Sequence, residues 1–257
     1  MNSLCDLLSG IVFSKKKIDL KTLPSQSLFY KDDIKISIKK AEKEDILEYK
    51  KNFIKDDLGL VIQKVKSIVE KNILVTGGYT FDDIKSIDVV FLFLEIVKLT
   101  KDKGIMVNYL DESSGKVKKI EFCQKNFNYF KIPEDVMKYY DSISKCFKMN
   151  GYSYTLPSIG VENCITYYLV YKTQIDDKTD WNSVFFDFSY FVNDKSFLTY
   201  DEIENLIQIF NHDIEEEEFE KIKNILNTFS PLQRYSLIKN GKLIDINSKI
   251  DLENIWN

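Results

Sequence analysis

At 257 residues and 30.2 kDa the chain is long enough to bury a substantial core, as one large domain or two small ones. Hydrophobic residues make up 44% and charged residues 30%, ordinary globular usage that excludes wholesale disorder. Lys+Arg number 36 against 40 Asp+Glu, a formal net charge of -4, so no global basic field draws nucleic acid or anionic membrane.

From the N-terminus, Met1 to Phe13 is apolar but carries Asp6 and lacks a basic head, which argues against a signal peptide. Pro24 makes Ile18 to Leu28 an expected extended lead-in, and Asp32 and Asp33 supply turn chemistry. Ile34, Ile36 and Ile38 alternate with Lys35, Ser37 and Lys39, the period-two signature of a half-buried strand. A charged helix is predicted over Ala41 to Phe53. A second, amphipathic helix carries Leu58, Val61, Ile62, Val65, Ile68 and Val69. Thr80 precedes a short acidic turn. The apolar run from Ser86 to Leu99 is too short to span a bilayer and contains Glu95, so it is expected as a buried helix.

Ile105 to Leu110 and Val117 to Phe122 flank the turn residues of Asp111 to Gly115 and predict a β-hairpin. Pro133 opens an expected helix running to about Phe147. Tyr152 to Leu156 is expected to be extended, and Val161 to Lys172 helical, although its aromatic and β-branched content leaves strand open. Thr199 and Glu202 stand at capping-box spacing before Ile203, Leu206, Ile207 and Phe210, and Asp213 and Glu216 repeat the spacing before a second short helix. Asn240-Gly241 between two apolar runs signals a hairpin, and Ser248 and Asp251 introduce a last turn carrying Leu252, Ile255 and Trp256. These elements make an α+β fold of helices, short antiparallel strands and hairpins. Residues 1–175 form the expected main body and 176–257 a two-helix plus hairpin region, with one continuous domain as the alternative.

Chemistry-bearing residues are sparse. Ile73 to Tyr79 (ILVTGGY) imitates the start of a dinucleotide-binding turn, but the spacing lacks a further glycine, and Asp82 and Asp83 would repel pyrophosphate. A plain turn between helices is expected there. His212 is the only histidine and sits where one helix gives way to the next, a surface position. Cys5, Cys123, Cys146 and Cys164 are scattered, which suits a reduced intracellular setting and disfavours zinc. Glu215 to Glu218 lacks the pattern of a calcium loop and is expected in solvent at a helix start. The carboxylate pairs Asp56-Asp57, Asp82-Asp83 and Asp176-Asp177 have no neighbours in sequence that would tune them. Trp181, Phe185, Phe186, Phe188, Tyr190 and Phe191 form either a buried joining segment, the favoured reading, or a binding platform.

Leu23 to Leu47, LPSQSLFYKDDIKISIKKAEKEDIL, resembles the N-terminal signature of the T-even (T-four-like) phage baseplate hub proteins and related myophage tail-assembly proteins. In that family a Leu-Pro-Ser turn leads to Phe-Tyr, an alternating strand and a helix of the form Ala/Thr-x-x-Glu-Asp-Ile-Leu. Here those positions are Leu23, Pro24, Ser25, Phe29, Tyr30, Ile34, Ile36, Ile38, Glu44, Asp45, Ile46 and Leu47. The likeness continues through Leu60 to Lys71, Asp82-Asp83 and the stretch from Ser86-Ile87-Asp88 to Ile96. Ser27 stands where the family often has Gly, Lys31 where it often has Pro, and Cys123 is alone where some relatives carry Cys-x-x-Cys.

The resemblance implies a non-enzymatic baseplate hub subunit or hub-assembly chaperone that binds the tape-measure protein or neighbouring hub proteins. It would work in the cytoplasm of the infected bacterium or in the virion baseplate, with no nucleic acid and no membrane insertion. No catalytic, cofactor or metal residues are expected, and Phe29, Tyr30, Trp181, Phe185, Phe186 and Trp256 are the candidate partner-binding residues. The alternatives are a nucleotide-dependent enzyme using Gly77-Gly78, or an interaction module unrelated to tails.

Overall fold

The computed structural model describes residues 15–51, 58–102, 104–111, 114–122, 134–175, 195–210, 214–218, 220–221, 224, 236–239, 242–245 and 255–256. Within them the chain is α+β, with every strand pairing antiparallel. The first sheet runs β1 (Lys16–Lys17), β2 (Lys35–Ile38) and β3 (Ile73–Thr76), in that spatial order. Between β2 and β3 lie helices α1 (Lys43–Lys50) and α2 (Leu58–Asn72), and 3-10 turns at Phe81–Asp83 and Ser86–Asp88 then lead into α3 (Val89–Lys101). Alternation along β2 puts Ile36 and Ile38 on the inner face, where they meet Val65, Ile68 and Val69 of α2 and Phe91 to Leu94 of α3 in one apolar core. α3 is buried around most of its circumference, as its composition foretold, and its Glu95 is ion-paired with Lys16.

Hairpin β4 (Ile105–Asp111) and β5 (Lys116–Phe122) pairs Ile105 with Phe122, where the sequence placed it. After α4 (Glu134–Met137) the expected helix to Phe147 does not continue. Instead β6 (Tyr140–Asp141), β7 (Cys146–Met149) and β8 (Tyr152–Tyr154) form a meander. The reason is local turn chemistry. Asp141 Oδ1 accepts from the Ile143 and Ser144 amides, closing the first turn. Asn150 and Gly151, at φ 46° and 85°, form the two-residue loop between Met149 and its partner Tyr152. That Asn-Gly signal is as strong as the one at 240–241, whose flanking strands β9 (Ser236–Lys239) and β10 (Lys242–Asp245) pair Lys239 with Lys242.

Helix α5 (Ile159–Ile175) settles the open choice over Val161 to Lys172, because Val161, Ile165 and Tyr168 fall on one helical face and are buried together. Helix α6 (Tyr200–Gln208) begins at the Thr199–Glu202 capping box, with the Thr199 amide donating to Glu202 Oε2 at 2.8 Å and the Glu202 amide to Thr199 Oγ1 at 3.3 Å. Ile203, Leu206 and Phe210 join α5, Val136, Phe147 and Tyr154 in a second core. Trp256 returns to the first core, edge-on to Phe93 at 5.9 Å and Tyr49 at 6.3 Å. Both features lie beyond residue 175 yet pack into cores built from residues before it.

The two cores share three seams. Tyr30 faces the first and Phe29 the second; Ile84 and Ile87 divide the same way, as do Ile159 and Val161. Backbone bonds lock the seams together: Ser86 N–H donates to Pro157 O at 3.0 Å and Ile159 N–H to Ile84 O at 2.9 Å. Lys66 on α2 also pairs with Glu162 on α5 at 2.8 Å.

Candidate functional site

The expected extended lead-in is a chain of turns. A 3-10 turn spans Leu20–Thr22, and the Gln26, Leu28 and Tyr30 amides donate to the carbonyls of Leu23, Ser25 and Ser27. Gln26 and Ser27 both have positive φ, 54° and 62°. Folded this way, the segment lays its polar groups on Asp88. Ser25 N–H donates to Asp88 Oδ1 at 2.8 Å and Tyr30 O–H to Asp88 Oδ2 at 2.8 Å, while Tyr30 Oη accepts from the Lys85 amide at 2.9 Å. The turn segment and the residues that lead into α3 therefore meet at one buried carboxylate.

Lys85 and Asp88 are both buried. Burial pushes the Asp88 carboxyl up to about 6, against its bonds from Ser25 and Tyr30. Burial also pushes the Lys85 ammonium down to about 8, against the attraction of Asp88 and Asp83. Lys85 Nζ donates to Leu156 O at 3.0 Å and Thr155 Oγ1 at 3.3 Å, so the cluster ties the turn segment, the start of α3 and the strand leading to α5 into one node. Among the described residues its hydrogen bonds join segments of both cores.

Three of the six partner-binding candidates are thereby placed. Phe29, Tyr30 and Trp256 are interior residues: Phe29 packs on Phe147 with ring centroids 5.9 Å apart, Tyr30 binds Asp88, and Trp256 stands edge-on against the stacked pair Tyr49 and Phe93. Phe29, Tyr30 and Lys85 line a surface cavity shared with Lys31, Tyr79 and Lys195. Trp181, Phe185 and Phe186 lie outside the described residues, as do His212, Cys5, Cys123 and the pairs Asp56-Asp57 and Asp176-Asp177.

Two further expectations change. Ile73 to Thr76 is a strand, not part of a turn between helices, because its alternating side chains complete the sheet against β2. Since β3 is antiparallel and opens into a 3-10 turn, Gly77-Gly78 lacks the parallel βα geometry that cradles pyrophosphate. Gly77, at φ 96°, makes a close backbone approach, since a Cβ there would sit 2.5 Å from Asp33 O. In the Glu215 to Glu218 run, Glu217 is exposed and pairs with Lys221 at 2.7 Å, but Glu218 is buried rather than in solvent.

The surface feature that stands out is one that no motif in the sequence marks. Helix α5 is apolar on two faces. Beside its buried face, Tyr167, Val170, Tyr171 and Ile175 follow one another at i, i+3, i+4 and i+8, exposed by 68%, 50%, 44% and 63%. Phe197, 65% exposed, and Tyr200 continue the patch from the start of α6. Tyr167, Val170, Tyr171, Phe197 and Tyr200 line, with Cys164, an open groove of about 340 Å³. The rings are braced: Tyr171 and Tyr200 lie 5.2 Å apart, Tyr200 stands edge-on to Tyr168 at 5.5 Å, and Tyr168 O–H donates to Glu204, which is paired with Lys172. The available signal was the same aromatic and β-branched content that left strand open for Val161 to Lys172. A helix with apolar residues on both faces has one face more than its own core needs.

Among the described residues no helix is long and apolar enough to cross a membrane. No family model, curated protein or solved structure matches the chain.

Proposed function

We propose that the chain is a non-enzymatic assembly protein that acts by binding other proteins. Following the resemblance of Leu23 to Leu47, its partners are the tape-measure protein or neighbouring hub proteins of a phage baseplate. The observation that carries the binding role is the exposed aromatic surface of Tyr167, Tyr171, Phe197 and Tyr200. Contiguous exposed apolar patches mark interaction sites, and tyrosine and other aromatics supply much of the energy of such interfaces. The bracing of Tyr171 and Tyr200 by each other and by Tyr168 lowers the entropy lost on docking. An amphipathic helix laid into the groove between α5 and the start of α6 is the mode this shape favours. The assembly takes place in the host cytoplasm, and the virion baseplate is the final location if the protein stays bound.

Co-expression with the tape-measure protein and with each neighbouring hub protein, followed by affinity capture, tests the reading. The parent chain retains one of them, and Tyr171→Glu combined with Phe197→Ser abolishes retention while leaving the circular dichroism spectrum unchanged. Absence of any complex with the parent, or a complex indifferent to the double substitution, would overturn it. Proteomics of purified virions separates a permanent subunit from a transient chaperone.

A further inference from the structure

The outer face of the first sheet carries a different surface. Antiparallel register places Lys17 opposite Ser37 and Ser37 opposite Leu74, so these three share a face, and alternation adds Lys35 with its partner Thr76. Lys15 and Lys39 extend the same side, where they line a shallow cavity with Ser37 and Leu74. The opposite face holds Ile36 and Ile38 in the core, and Lys16, which points that way, is consumed by Glu95. Four lysines thus stand on one side of a three-stranded sheet. Strands ~4.8 Å apart with ~6.6 Å between alternate residues put their Cα atoms within about 15 Å of one another.

Among the described residues, carboxylates answer this charge only at one end. Glu42 lies 3.7 Å from Lys39, and Asp45 and Glu48 hold the neighbouring Lys71 at 3.4 and 2.8 Å. Lys15, Lys17 and Lys35 are exposed and make no ion pair among the described residues. In a chain of net charge -4 this is a local field against the overall sign. Lys35 stands on the central strand, so guarding a sheet edge against aggregation does not account for it.

We infer that this face docks an acidic polypeptide segment, whose carboxylates meet Lys15, Lys17, Lys35 and Lys39 and whose apolar side chain covers Leu74, which is 45% exposed. A nucleic-acid strand is the weaker match. The face carries no aromatic ring on which a base could stack and no arginine to grip phosphate. The inference does not depend on the aromatic groove of α5, since the two surfaces share no residue.

Fluorescence anisotropy on the full chain tests it, with a labelled peptide of alternating glutamate and threonine bearing one central leucine. A glutamine-for-glutamate peptide and a single-stranded oligonucleotide of equal charge serve as comparisons. The acidic peptide binds more tightly than both, weakens as salt is raised, and loses roughly tenfold in affinity when Lys17→Glu and Lys35→Glu are combined. Reversal of a lysine elsewhere on the surface, Lys116→Glu, changes it by less than about twofold. Carbodiimide cross-linking maps the peptide to Lys15, Lys17, Lys35 or Lys39. Equal binding of the glutamine peptide, tighter binding of the oligonucleotide, or equal loss with Lys116→Glu each overturns the assignment.

Discussion

Removing one oxygen, in Tyr30→Phe, tests the role given to the buried node. The Tyr30 hydroxyl makes two bonds there, donating to Asp88 Oδ2 and accepting from the Lys85 amide, both in the interior. Phenylalanine keeps the ring and its packing but leaves a carboxylate oxygen and an amide hydrogen without partners. A buried group so orphaned costs about 1–3 kcal/mol, and more when it is charged, so the expected loss is about 3–5 kcal/mol. That is a large share of the 5–15 kcal/mol that holds an ordinary domain together, as an order of magnitude. Urea unfolding at pH 7.5, followed by circular dichroism, gives the difference directly. A cycle with Asp88→Asn isolates the hydroxyl–carboxylate interaction, expected at about 1–3 kcal/mol of coupling. A Tyr30→Phe variant within about 0.5 kcal/mol of the parent would refute the reasoning, since it would mean water reaches the node.

Three other outcomes follow from the same geometry. The folded pKa of Asp88 lies above its ordinary value of 3.8, so its contribution to stability is present below that value and lost as pH rises through about 6. Lys85 lies below its ordinary 10.5, so its contribution is present above that value and lost as pH falls through about 8. The parent therefore loses about 3 kcal/mol relative to Asp88→Asn between pH 4 and 7, read from urea midpoints, and parallel profiles would exclude the buried ionisation. Ser27→Gly relieves a left-handed residue at φ 62° and raises stability by roughly 0.5–1 kcal/mol in the same assay; no gain would mean that the serine side chain compensates locally. Trp256→Ala leaves a cavity beside the stacked Tyr49 and Phe93 rings and lowers stability by about 3–5 kcal/mol, whereas a neutral result would detach Trp256 from the first core.

Sequence periodicity alone determined much of the framework. The alternation of Ile34, Ile36 and Ile38, the stripe of α2, the unbroken apolar run of α3, the Thr199–Glu202 box and the 105–122 hairpin are local patterns whose structures need no distant partner to be specified. Where expectation failed, a local signal was either overlooked or outweighed. Asn150-Gly151 was available in the sequence and marks the β7–β8 loop, whereas Pro133 suggested a helix that ends after Met137 because Asp141 closes a turn instead. The strand at Ile73 to Thr76 follows α2 without a break and is specified by β2, a partner 35 or more residues earlier in the chain.

Burial was the quantity that only tertiary structure decided. Phe29, Tyr30 and Trp256 are aromatic in the same way as Tyr171 and Phe197, and composition does not separate the two sets. Inside or outside depends on which surfaces the rest of the chain brings up: Phe147, Asp88 and Phe93 arrive to cover the first three, and nothing among the described residues covers the groove of α5. Residue type and spacing thus laid down the elements, the strand and helix of Leu23 to Leu47 among them. The meeting of that segment with Asp88, and the choice of which aromatic face remained exposed, came from contacts between residues far apart in sequence, which no local pattern encodes.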